Sequence, residues 1–123
     1  GFVVRYLKEK LKKTGIGYEP WHIRYVGRPH SDIMYQNNWC LEEYIGYLEN
    51  DGSIIWNDGE NIWGVYYVDS LDCAYANIVD FSNTNCGGYI VTTRRDRNSF
   101  MVKARTLKDG TDLRDKLISR ISV

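Results

Sequence analysis

One short stretch of the chain holds the residue types from which a hydrolytic site is built: Tyr18-Glu19-Pro20-Trp21-His22-Ile23-Arg24-Tyr25-Val26-Gly27. A carboxylate stands three residues before a histidine, among bulky aromatics. A zinc hydrolase needs a neutral imidazole as metal ligand. It also needs a nearby carboxylate that takes a proton from the attacking water and passes it to the leaving amine. Glu19 and His22 are the candidates for those two roles. Spacing alone is a weak signal, because short motifs recur by chance. Local geometry adds a condition. Pro20 pushes Glu19 toward an extended conformation, and in a regular strand positions 19 and 22 face opposite sides. A bulge or turn near Pro20 is therefore required if both residues are to address one metal. Core packing is the competing reading for Tyr18, Trp21 and Tyr25, since large aromatics are often buried. The other histidine, His30, follows a Gly-Arg-Pro turn, and no ligand spacing links it to His22. A structural or exposed role is the better reading for it.

The elements that must position this stretch are legible in part. Phe2-Val3-Val4-Arg5-Tyr6 reads as a strand, and Lys8 to Lys13 as a charged loop or exposed turn ending at Thr14-Gly15. Gly27-Arg28-Pro29 is a turn signal. From Asn38, a good N-cap residue, Leu41, Tyr44, Ile45 and Leu48 recur at helical spacing, which predicts a helix over 38–49. Glu42 and Glu43 read as its solvated surface. Strands follow at Ser53 to Trp56, Asn61 to Val68, Ala76 to Phe81, Gly88 to Thr93 and Ser99 to Arg105. They are separated by Asn57-Asp58-Gly59, by Asn83-Thr84-Asn85 and by a turn from Arg94 to Asn98. Arg94, Arg95 and Arg97 read as the solvated tip of that hairpin. Thr111 is placed to cap a last helix through Ser119, with Leu113, Leu117, Ile118 and Ile121 along one face. Helices and strands are segregated rather than alternating, so the fold class is α+β. The expected units are 1–50, carrying the Glu19 to His22 segment, then a small β appendage at 51–105, then a terminal helix within 106–123.

Composition narrows the function classes. The chain has 123 residues, 43% hydrophobic and 14% aromatic, enough for one modest core. Sixteen basic residues balance sixteen acidic ones, so no overall field attracts nucleic acid or an anionic membrane. No apolar run approaches the ~20 residues of a spanning helix. Residue 1 is Gly, and no basic stretch with a long apolar core follows it, so no signal peptide is expected and the start reads as cut or processed. Three cysteines, Cys40, Cys73 and Cys86, show no C-x-x-C spacing and read as buried free thiols. A Cys73 to Cys86 bridge stays open for an exported protein.

The peptide from Glu19 to Gly27 resembles the E-x-W-H-x-R-Y-V-G signature of the VanY-type D-alanyl-D-alanine carboxypeptidases, members of the LAS group of metallopeptidases. Gly1 to Tyr6, Pro29 to Met34 and Leu41 to Tyr44 resemble the flanking segments. Asn83 to Thr92 resembles a C-terminal β extension of some members. The resemblance implies an antiparallel LAS-type sheet, present in part. It also implies Glu19 as catalytic base, His22 as zinc ligand, and Trp21 as the wall of the pocket for the terminal D-alanine. Arg24 and Tyr25 would brace the motif. The cofactor would be zinc, and the substrate a peptidoglycan stem peptide ending in D-Ala-D-Ala, met in the cell envelope or outside the cell. In the family the other zinc ligands lie in an upstream S-x-H-x-x-G-x-A-x-D motif, and an arginine that stabilises the oxyanion also lies upstream; neither has a match here. The chain thus reads as the C-terminal portion of such an enzyme, and one ligand does not make a stable zinc site on its own. The alternative is a catalytically inactive remnant that binds cell wall or a partner. Sheet edges left open by absent upstream strands invite self-association.

Overall fold

The computed structural model describes residues 1–72 and 75–96. The fold is α+β with antiparallel sheets, as the segregated pattern implies. Two compact units divide at Asp51–Gly52.

The first unit begins with β1 (Phe2–Tyr6), which pairs antiparallel with β2 (Glu19–Tyr25). Between them the charged run, expected as a loop, closes into a short helix α1 (Leu11–Thr14). It ends on Gly15, whose φ of 76° and N–H bond to the Leu11 carbonyl make a left-handed cap. The Gly-Arg-Pro turn opens a helix that periodicity does not show, α2 (His30–Asn37). Its one outward aromatic, Tyr35, is 83% exposed, whereas Ile33 and Met34 are buried. Asn38, expected to cap the next helix, instead ends α2 in the left-handed conformation, donating its backbone N–H to Met34 and Tyr35. The predicted helix accordingly starts later, as α3 (Leu41–Asp51), and buries Tyr44 and Leu48. Cys40 is buried just before it.

Glu42 and Glu43 are not merely a solvated surface. Both oxygens of Glu42 accept from the Arg5 guanidinium at 2.8 Å. Glu43 Oε1 lies 2.8 Å from Lys10 Nζ and accepts the Cys40 N–H at 3.1 Å. These contacts tie α3 to β1 and to the start of α1.

The second unit is a four-stranded antiparallel sheet in the order β3-β4-β6-β5, from β3 (Ser53–Asn57), β4 (Asn61–Val68), β5 (Ile78–Asn83) and β6 (Tyr89–Asp96). At the β3–β4 turn, Asp58 accepts from the N–H groups of Glu60 and Asn61 and from the Trp63 indole. In mid-sheet, Gly64 leaves room for the Tyr66 ring: a Cβ there would lie 2.6 Å from that ring and from Thr93 Oγ1. The β5 strand starts and ends later than its pattern suggests. The turn expected at Arg94 to Asn98 is corrected too, since β6 runs on through Asp96 and pairs Arg94 with Trp63 and Arg95 with Ile62. The Arg94 guanidinium stands 5.6 Å from the centre of the Trp63 ring. Arg97, the strand expected at 99–105 and the terminal helix lie outside the described residues. So does Cys73, and with it the Cys73 to Cys86 pairing; Cys86 is exposed rather than buried.

The Arg5–Glu42 bond holds the Glu42 carboxyl below its ordinary value of 4.5. For Glu43, burial pushes upward most strongly, yet the Lys10 and Cys40 bonds together leave it lowered as well. A carboxyl depressed in the folded state stabilises the fold above the unfolded value, and the contribution is lost as pH falls through the folded value. The Glu42→Gln variant should be less stable by about 1 kcal/mol at pH 7, a figure reduced from the buried-pair range because Glu42 is about a third exposed. Denaturation curves taken from pH 7 to pH 3 should show that gap closing below pH ~4.5.

Candidate active site

The ladder between β1 and β2 is regular over Phe2–Tyr25, Val3–Arg24 and Val4–Ile23, then resumes at Tyr6–Glu19. One residue of β1, Arg5, therefore opposes three of β2: Pro20, Trp21 and His22. The slack falls where Pro20 has no N–H to give to the ladder. This is the irregularity that the Glu19 to His22 spacing demands, and it brings the two side chains together. Glu19 Oε2 lies 3.3 Å from His22 Nδ1. The Tyr6 ring meets the imidazole edge-on, with centroids 4.9 Å apart and planes at 89°.

The pair is open to solvent, with the His22 side chain 49% exposed and that of Glu19 30%. An imidazole has two nitrogens, and only Nδ1 is engaged by Glu19. Trp21 beside them is 73% exposed, and Tyr18 and Tyr25 are also exposed, so core packing does not account for any of the three. Tyr25 packs edge-on against Phe2 at 5.1 Å, and the Lys8 ammonium sits 5.1 Å from the Tyr18 ring centre. Arg24 is exposed as well. A cavity of about 360 Å³ in the same unit is lined by Trp39, Glu42, Glu43 and Tyr47, and takes in none of Glu19, Trp21 and His22.

His30 occupies a different environment. It is buried, and its Nδ1 is 2.7 Å from the Tyr44 hydroxyl. Burial pushes the Tyr44 hydroxyl far above its ordinary value, so it stays protonated at any working pH. The reading of His30 as structural thus agrees with its place between α2 and α3.

Among the described residues no group of three His, Cys, Asp or Glu side chains is arranged to hold a metal. What is present fits one place of a zinc set: a half-exposed imidazole with a carboxylate against its ring. Tyr6 adjoins this pair, Arg5 stands opposite the bulge and Glu42 holds Arg5; none of the three was legible as a site residue. Their only sequence signal is the strand pattern that sets Tyr6 opposite Glu19.

Residues 1–28 match the family described as VanY, D-alanyl-D-alanine carboxypeptidase. Over that stretch the chain is similar to this family. A D-alanyl-D-alanine carboxypeptidase of Enterococcus faecium is 43% identical over 97 residues, which make up 75% of this chain and 32% of that protein. The bifunctional D-Ala-D-Ala dipeptidase and D-Ala-D-Ala carboxypeptidase VanXYC of Enterococcus gallinarum is 56% identical over 48 residues, 39% of this chain and 25% of the relative. The crystal structure of the vancomycin-resistance D,D-dipeptidase VanXYg, in complex with a D-Ala-D-Ala phosphinate analog, superposes with a TM-score of 0.68 at 37% identity. It covers 77% of this chain and 42% of that one. The chain thus spans about a third of the E. faecium relative's length.

The surroundings of the two histidines should differ in their weight for stability. Tyr44→Phe strands a buried ring nitrogen, and in urea denaturation should cost about 1–3 kcal/mol. His22→Ala, at an exposed position, should stay within about 0.5 kcal/mol of the parent.

Proposed function

We propose that this chain is the part of a zinc-dependent D-alanyl-D-alanine carboxypeptidase that carries the general base and one metal ligand. The observation that carries the reading is the contact of Glu19 with His22, made across a break in the β1–β2 ladder. The names of the relatives support a substrate ending in D-Ala-D-Ala, and the substrate we propose is a peptidoglycan stem peptide with that end. A protein acting on that substrate would work in the cell envelope or outside the cell.

His22 would hold the zinc together with ligands from beyond the described pair. Zinc, when bound, would polarise the scissile carbonyl and make the attacking water more acidic. The work of this chain's own residues follows from their chemistry. Glu19, against the imidazole and partly open to solvent, takes a proton from the water as its oxygen bonds to the carbonyl carbon. The C–N bond then breaks, and Glu19 returns the proton to the amine of the departing D-alanine. Trp21, exposed and next to His22 in the chain, would offer an apolar wall to the D-alanine methyl. The apolar residues Ile23 and Tyr25 leave β2 exposed, which supports self-association or cover by further polypeptide.

The test is D-alanine release from a peptide ending in D-Ala-D-Ala, by zinc-loaded protein containing this sequence. Glu19→Gln should lower the rate by about 10²–10⁴-fold while leaving the zinc content unchanged. His22→Gln should lower both. An unchanged rate in Glu19→Gln would overturn the catalytic assignment. Failure of any zinc-loaded form to release D-alanine would favour a catalytically inactive module that binds cell wall or a partner.

A further inference from the structure

We infer that Arg5 and Tyr6 of β1, held by Glu42 of α3, are positioning residues that fix the His22 imidazole. The inference rests on the reading of Glu19 and His22 given above and concerns what keeps their geometry.

Where β2 bulges, the ladder cannot orient its residues, because three of them share one partner. The orientation of His22 must then come from side-chain contacts. A continuous path of them leads to its ring. Glu42 accepts from both terminal guanidinium nitrogens of Arg5, each at 2.8 Å, a forked pairing that fixes direction as well as distance. The same guanidinium lies 4.8 Å from the centre of the Tyr6 ring. Tyr6 in turn presses edge-on against His22 and is the register partner of Glu19. Arg5 is the one β1 residue opposite the bulge, so the fork anchors the ladder at its weakest point. The Arg5 side chain is only 16% exposed, which sets it apart from a surface ion pair that samples many geometries.

This arrangement restricts what substitutions can do. Lysine at position 5 keeps the charge but not the fork, and should fail to replace arginine. Phenylalanine at position 6 keeps the ring and should succeed, whereas leucine should not.

The chain has two histidines, so its imidazole signals can be resolved by NMR in isotopically labelled protein. The parent and the Tyr6→Phe variant should both show cross-peaks between the ring at position 6 and His22. In Arg5→Lys and Glu42→Gln those cross-peaks should be lost and the His22 ring signals should move; in Tyr6→Leu, which has no ring at position 6, the contact of His22 with Glu19 should loosen and the His22 ring signals should broaden. The contact of His30 with Tyr44 serves as an internal control, since a merely destabilised fold would disturb both histidines. Unmoved His22 signals and retained cross-peaks in folded Arg5→Lys and Glu42→Gln would overturn the inference. If the Arg5 and Glu42 variants fail to fold, the Tyr6 pair decides: His22 signals unchanged between Tyr6→Phe and Tyr6→Leu would overturn it equally. The readout needs no catalysis. A protein that releases no D-alanine yet shows this pattern would sink the hydrolase reading and keep the positioning role.

Discussion

The site depends on a backbone constraint at Pro20. A proline in a strand cannot donate to the ladder, and the β1–β2 pairing gives way there, setting three residues against one. Regular pleating would have placed Glu19 and His22 on opposite faces. The break lets the carboxylate reach the imidazole nitrogen at 3.3 Å, and the intact ladder from Phe2 to Val4 holds the far side of the bulge in place. Everything chemical in this unit follows from that local loss of regularity, in keeping with the tendency of bulges to re-aim side chains near functional sites.

The two histidines show how one residue type is given two duties by its surroundings. His30 is buried and bonded to a hydroxyl that burial keeps protonated, so it holds α2 and α3 together. His22 is half open, with a carboxylate on one nitrogen and an aromatic edge against the ring. Only the second environment suits a metal ligand with an acid–base partner. The similar proteins are named as D-alanyl-D-alanine carboxypeptidases and dipeptidases, and this chain spans only part of their length.

Much of this was legible in the sequence, and the failures have physical causes. Strand β1, the extent of β4 and the apolar face of α3 follow from periodicity, which burial enforces. The requirement for a bulge followed from parity and from Pro20 alone. Helix α2 was missed because its polar residues and the Gly-Arg-Pro lead-in mimic a turn, and because Asn38 serves equally well as a left-handed C-cap or an N-cap. Arg94 and Arg95 look like a hairpin tip by charge, but pairing with β4 and the Trp63 ring carry them into the sheet. The Arg5–Glu42 fork joins residues 37 apart, a relation no local pattern encodes.

The central claim is that the exposed His22, and not the buried His30, is the metal-facing imidazole. It is tested most directly by titrating zinc into isotopically labelled chain and following both imidazoles by NMR. The account predicts that the His22 ring signals shift or broaden first, with the Tyr44-bonded His30 unmoved. Zinc that leaves His22 untouched, or that acts on His30 alone, would contradict it.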